Sequence, residues 1–272
     1  MTLTLTLRES PQAPVGGAPL SPDRLASLRR TEIERLELWH GNRRTPLGEL
    51  FAVSGDGSEH VRVEGDHLAR VAGLGTGMSG GRLTLAGGAG PHAGAGMRGG
   101  ELVVEGDAGD WAGAEMRGGL LVVRGSAGRS LGGAYAGARA GMRGGEIVVH
   151  GDAGEEAGAG LRRGLIAVAG HAGGAAGLRA LAGTIVAFGA LGAHPGAGMR
   201  RASIVAMTAA TLLPTYARAC TYRPPFLRLC LRRLRALGLP VTDEQLEGRY
   251  TRWSGDRLEL GRAEILILER PR

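Results

Sequence analysis

The chain has 272 residues, of which 43% are hydrophobic but only 4% aromatic, with 50 glycines and a formal charge of +7 at pH 7. Glycine this abundant without a Gly-X-Y period excludes collagen, and the shortage of aromatics puts any core on aliphatic side chains and alanine. All 33 basic residues are arginine, and their charge is spread along the chain, which admits an acidic partner without calling for nucleic acid. No signal peptide opens the sequence and no apolar run approaches a membrane span, so a cytoplasmic protein with no membrane partner is expected.

The first elements are a strand and a helix. TLTLTL alternates with period two and reads as a strand. A Pro/Gly linker runs through Pro22, and DRLASLRRTEIERLEL then carries helical periodicity around Leu25, Leu28 and Leu36. The stretch HGNRRTPLGELFAVSG leads to HVRVEG, a strand that reads as an imperfect first rung of a repetitive coil. Residues 1–60 are therefore expected to form an N-terminal strand and helical capping segment.

From residue 61 to 207 one template recurs every nineteen residues. Its clearest copy is GAGMRGGELVVEGDAG, from Gly94 to Gly109. With the methionine as ruler, the ticks fall at Met78, Met97 and Met116, then, after a seven-residue insertion containing GGAYAGA, at Met142, Leu161, Ala180 and Met199. Five residues past each tick stands a large aliphatic: Leu83, Leu102, Leu121, Ile147, Ile166, Ile185 and Ile204. Two further on stand Leu85, Val104, Val123, Val149, Val168, Ala187 and Ala206. Residues two apart share a face of a strand, so both columns point inward. Glycine columns running through Gly106 and Gly109 close each strand, as corners needing positive φ or close backbone approach require. The expected fold is mainly β: a single-stranded parallel β-helix of about seven 19-residue rungs, stabilised by stacking because one rung cannot bury enough to order itself.

After Met207 the pattern changes, and residues 208–272 are expected to form a C-terminal helix and strand cap. PPFLRLCLRRLRALGL reads as a helix begun by proline and ended near Gly238, with Phe226, Leu229, Cys230 and Leu234 on one side. Cys220 and Cys230, ten residues apart and expected to lie in a helix, form no metal motif and fit a reducing compartment. RLELGRAEILIL closes the chain as two strands around Gly261.

Few columns offer chemistry. His92 and His194 share a column with Trp111, Glu156 and Ala175; His150 shares one with Glu105 and Arg124; His171 stands with Asp107, Ser126 and Asp152. None forms a His/Asp/Glu ladder, and the aspartates lack the nonapeptide pattern of calcium β-rolls. No catalytic, metal or cofactor-binding residue is assigned. The most suggestive series is Arg98, Arg117, Arg143, Arg162 and Arg200, each directly after a tick. It reads either as a solvated edge balanced by Glu101, Glu115 and Glu146 or as a docking strip for an acidic surface. Val103, Val122 and Val148 form an outward apolar column, costly if exposed, and so a candidate interface. The insertion, with Tyr135 and Arg139, is a candidate contact loop.

The GAGMRGG repeat, the segment WHGNRRTPLGELF and the tail GLPVTDEQLEGRYTRWSGDRLELGRAEILIL together resemble the C subunit of the bacterial formyltransferase/hydrolase complex. That family is similar to the C subunit of formylmethanofuran dehydrogenase, and its repeat to the C-terminal β-helix of the large glutamate synthase subunit. The resemblance covers nearly the whole chain, and the flanks rather than the repeat make it specific. It implies a non-catalytic structural subunit. The partners would be an amidohydrolase-like hydrolase, a formyltransferase and a molybdopterin-enzyme-like subunit. The complex would move formyl from formyl-tetrahydromethanopterin to a methanofuran-type carrier and release formate, in the formaldehyde oxidation of one-carbon metabolism and methylotrophy. Zinc and the carrier would be bound by the partners, none by this chain. Because such carriers bear polyglutamyl tails, the arginine edge gains a second candidate ligand. The alternative is the C subunit of a redox-active molybdenum or tungsten formylmethanofuran dehydrogenase. A left-handed acyltransferase coil is disfavoured, since the nineteen-residue step has no six-residue subperiod.

Overall fold

The computed structural model describes residues 2–269. In chain order the elements are β1 (Leu3–Leu7), β2 (Val15–Gly16), α1 (Pro22–Leu25), α2 (Arg30–Glu34), β3 (Glu37–His40), β4 (Arg43–Pro46), α3 (Leu47–Leu50), β5 (Phe51–Ser54), β6 (His60–Glu64) and β7 (Val71–Ala72). The repeat supplies β8 (Arg82–Ala86), β9 (Glu101–Val104), β10 (Leu120–Val123), β11 (Glu146–Val149), β12 (Leu165–Val168), β13 (Thr184–Ala187) and β14 (Ser203–Ala206). The tail supplies β15 (Ala217–Tyr222), α4 (Pro225–Ala236), α5 (Asp243–Glu247), β16 (Tyr250–Gly255) and β17 (Ala263–Leu268).

The protein is mainly β and rests on one parallel-rich sheet of thirteen strands, as a β-helix requires. Each repeat strand pairs with the next in parallel and in register, so Leu83, Leu102, Leu121, Ile147, Ile166, Ile185 and Ile204 stack in one line. All seven are 0% exposed, and so are the seven of the second inward column. Each large aliphatic contributes roughly 1.5–3 kcal/mol by leaving water. The tick residues, which mark the period in the sequence, are core as well: Met78, Met97, Met116 and Met142 are 0% exposed. A third wall is a ladder of isolated parallel bridges from Ala89 through Ala108, Ala127, Ala153 and Ala172 to Leu191. The parallel run does not stop at the repeat. β6 and β1 continue it before β8, and β17 adds to β14 with Ile265 opposite Ile204. β2, β3, β4 and β7 form a separate four-stranded sheet.

The glycine columns divide by cause. Gly106 has no left-handed φ; a Cβ there would lie 2.8 Å from Gly88 N and 2.9 Å from Gly87 C, so the rung beneath forbids it. Gly113, by contrast, has φ +63°. The left-handed region is also occupied by a non-glycine column, His92, Trp111, Ser130, Glu156, Ala175 and His194. Those side chains stand where the turn demands a left-handed backbone, a conformation that costs a residue with a Cβ more than glycine.

Several local expectations need correction. The stretch from Asp23 to Leu38 is two short helices and the start of β3, not one helix, because the chain must turn to pair β3 with β2. Cys220 lies in β15 and only Cys230 in α4. The buried face of α4 is Leu227, Leu231 and Leu234, at helical spacing i, i+4, i+7; Phe226 and Leu229 are 39% and 70% exposed. RLEL is a turn, with Leu258 82% exposed, and the antiparallel partner of β17 is β16, upstream of that turn. Among the described residues no helix is long and apolar enough to cross a membrane.

Candidate functional site

The edge after the ticks is built by backbone hydrogen bonds. Arg98 N–H donates to the Met78 carbonyl (2.7 Å), Arg117 to Met97 (2.7 Å), Arg143 to Met116 (2.6 Å), Arg162 to Met142 (2.9 Å) and Arg200 to Ala180 (2.9 Å). Each arginine thus sits one rung above the preceding tick, and all five side chains are exposed. The structure splits this series. Arg143, Arg162 and Arg200 line a groove of about 830 Å³; Arg98 and Arg117 stand outside it. Three arginines not singled out by the spacing complete the groove: Arg139 from the insertion, and Arg163 and Arg201 at the following positions. Leu181 and Ala182, on the rung where the arginine column breaks, and Leu260 add an apolar patch.

Among the described residues, two of the expected counter-charges, Glu101 and Glu146, make their ion pairs outside the arginine groove. Glu101 faces Arg82 at 3.5 Å, and Glu146 takes Arg233 of α4 in two bonds of 2.8 and 3.0 Å. Of the six groove arginines, only Arg200 makes an ion pair among the described residues, with Glu259 at 3.0 Å. A set of guanidinium groups this dense and uncompensated repels itself and attracts anions over the range of the screening length, about 8–10 Å.

The insertion folds back on the coil. The Tyr135 hydroxyl lies 2.9 Å from His92 Nδ1, and the His92 and Trp111 rings stack at 5.6 Å. Tyr135 is thereby anchored within its own chain, its phenol held above the ordinary range by burial and by the Glu115 carboxylate. Arg139 is left exposed and, with Leu181 and Arg200, lines both the arginine groove and a second one of about 760 Å³.

The other polar columns serve the coil. Asp107 accepts from Ser126 N–H (2.7 Å), Ser126 Oγ from Asp152 N–H (3.1 Å), Asp152 from His171 N–H (2.6 Å) and His171 Nδ1 from Ala190 N–H (2.9 Å). Each side chain satisfies a backbone donor on the next rung, a job any short acceptor performs. Glu156 accepts from Arg129 (2.8 Å) and Ser130 (3.1 Å), and the Arg129 bond above all holds its carboxyl below the ordinary range. His150 accepts from Arg124 at 2.9 Å; burial first, then that positive charge, lower its imidazole below the ordinary value. Among the described residues no three His, Cys, Asp or Glu side chains converge in a way that could hold a metal ion.

The valine column is not the open interface its pattern suggests. Val103, Val122 and Val148 are 7%, 4% and 0% exposed in the chain alone. Val148 belongs to a second apolar cluster with Leu227, Leu231 and Leu234 of α4. The strand period places these residues outward, which is right, but the cover for the column comes from this chain's own tail and flanking side chains.

A coil of this kind, with parallel strands stacked in register over a continuous aliphatic interior, defines a β-solenoid. No family model matches the sequence. One chain of the crystal structure of the formyltransferase/hydrolase complex (FhcABCD) from Methylorubrum extorquens, in complex with methylofuran, superposes with a TM-score of 0.89 at 38% identity, over 98% of this chain and 100% of that one. The C subunit of molybdenum-containing formylmethanofuran dehydrogenase 1 from Methanosarcina barkeri is 41% identical over 78 residues, 27% of this chain and 26% of that protein. The C subunit of tungsten-containing formylmethanofuran dehydrogenase 2 from Methanothermobacter wolfeii is 35% identical over 97 residues, 34% and 36% of the two chains. The aligned segments thus span only about a quarter to a third of these curated relatives. The chain belongs to the family of the C subunit of the formyltransferase/hydrolase complex, to which the C subunit of formylmethanofuran dehydrogenase is related.

Proposed function

We propose that this protein is the non-catalytic structural subunit of a formyltransferase/hydrolase complex. That complex would transfer formyl from formyl-tetrahydromethanopterin to a methanofuran-type carrier and release formate, within one-carbon metabolism. The observation that carries the reading is the 38% identity sustained over 98% of the chain, flanks included, to a chain of such a complex. Its partners would be the hydrolase, the formyltransferase and the molybdopterin-enzyme-like subunit, with zinc and carrier on their side. Residues 1–60 and 208–272 are read as caps on the coil of residues 61–207, protecting edges that would otherwise recruit other strands. The edge of Arg98, Arg117, Arg143, Arg162 and Arg200 is read as a docking surface for carboxylates, from a partner or from a polyglutamyl carrier tail, and the loop of Tyr135 and Arg139 as part of it.

Affinity purification of the tagged chain from its host is expected to bring three other subunit types and formyl transfer to a methanofuran-type acceptor. Recovery of the chain alone would overturn the reading. The names of the curated relatives favour a second reading, the C subunit of a redox-active dehydrogenase. Molybdenum or tungsten measured in the copurified material would select it.

A further inference from the structure

The groove has a register as well as a charge. Arg162 N–H bonds the Met142 carbonyl, Leu181 N–H the Leu161 carbonyl and Arg200 N–H the Ala180 carbonyl, so these positions stack rung upon rung. Parallel neighbours repeat about every 4.8 Å, placing Arg143, Arg162, Leu181 and Arg200 at roughly 0, 4.8, 9.6 and 14.4 Å along the coil. One face of an α-helix presents positions i, i+3, i+7 and i+10 at about 0, 4.5, 10.5 and 15.0 Å. The two series agree within about 1 Å at every step. An extended strand presents same-face side chains about every 6.7 Å and is out of step by its second residue.

We propose that this groove receives an acidic helix of a partner subunit, lying along the coil axis. Its carboxylates at i, i+3 and i+10 meet Arg143, Arg162 and Arg200, and an apolar residue at i+7 covers Leu181. The charges favour this directly: Arg143 and Arg162 have no ion-pair partner among the described residues, and Arg200 has only Glu259. Carboxylates relieve their mutual repulsion and match the guanidinium fork two bonds at a time. The third step requires something else, because Leu181 breaks the series beside Leu260, which is 52% exposed. A uniformly anionic polymer would leave that apolar patch facing charge; a helix with one apolar position there does not. The proposal deepens, and rests on, the reading of the chain as a subunit of a larger complex.

The test uses the full-length chain and two labelled, alanine-rich helical peptides of identical composition. One carries Glu at i, i+3 and i+10 with Leu at i+7; the other distributes the same residues around the helix. By fluorescence anisotropy the matched peptide is expected to bind roughly tenfold more tightly, the scale of a few exposed ion pairs acting together. The triple variant Arg143→Gln, Arg162→Gln, Arg200→Gln is expected to lose that preference, with circular dichroism and melting unchanged because all three side chains are exposed. Leu181→Asp, with every arginine retained, is expected to lose it too. Equal binding of both peptides, or inorganic polyphosphate displacing both alike, would make the groove a general polyanion surface and overturn the proposal. Failure of the tagged chain to copurify with other subunits is a separate measurement and bears on the complex reading alone.

Discussion

The outer face of the large sheet differs between its two ends. Over β8 to β10 the central outward residues Thr84, Val103 and Val122 lie among long charged side chains, Arg82, Glu101, Glu105 and Arg124. Over β11 to β14 the same line continues as Val148, Ala167, Val186 and Val205, all 0% exposed, and its flanks turn apolar with Leu165, Phe188 and Met207. The change marks where α4 lies. One end of a repetitive surface is covered by side chains reaching across from neighbouring strands, the other by a helix folded back from the tail. A repeat therefore does not imply a repeated environment, and an outward valine is not a free valine.

That contrast can be broken most forcefully at α4. Leu231→Ala and Leu234→Ala, both 0% exposed, are expected to cost about 2–5 kcal/mol each in urea unfolding. Leu229→Ala, on the open side of the same helix, should stay within about 0.5 kcal/mol. Comparable losses at all three positions would show that the covered end is not held as described. The corners sharpen the comparison from the other side, since they are alike at both ends. A Cβ at Gly106 would lie 2.9 Å from Gly87 C, and one at Gly189 would lie 2.5 Å from Gly170 C. Gly106→Ala and Gly189→Ala are each expected to destabilise by about 1–3 kcal/mol. A large difference between them would mean that α4 relaxes or tightens the rungs beneath it.

The smallest effect belongs to the boundary. His150 lies at the end of β11, close enough to the end of α4 that a Cβ on Gly238 would lie 3.3 Å from its Cε1. Burial and Arg124 lower its imidazole, so the unfolded chain takes up that proton first on acidification. The stability tied to neutral His150 is present above the ordinary histidine value, about 6.5, and is lost as pH falls through and below it. His150→Gln should flatten the dependence of the unfolding midpoint between about pH 7.5 and 5.5. An unchanged slope would separate His150 from the docking of α4.

Much of the coil was legible in advance because a strand stacked on its own copies obeys only two rules, period two along the chain and period nineteen between copies. Leu102 and Val104 announce an inward face by themselves, and the 0% exposure of their columns bears that out. The site was less legible. The spacing found Arg143, Arg162 and Arg200 and grouped them with Arg98 and Arg117, which lie outside the groove. It passed over Arg163 and Arg201, whose signal was their place one residue past the column; Arg139, expected in the contact loop, joins the groove only through the path of the insertion. The counter-charge expected from Glu146 goes elsewhere for the same reason: it sits near the edge in sequence, yet its partner, Arg233, is 87 residues away.

Periodicity in this chain carries the interior, the parallel register and the line of exposed arginines, since each depends on interactions that recur at a constant interval. The cover over Val148, the face by which α4 docks, the partner of Glu146 and the shape of the arginine groove come from contacts made once, between segments far apart in the chain. No local pattern encodes a contact made once; it exists only when the tail and the insertion have folded back onto the coil.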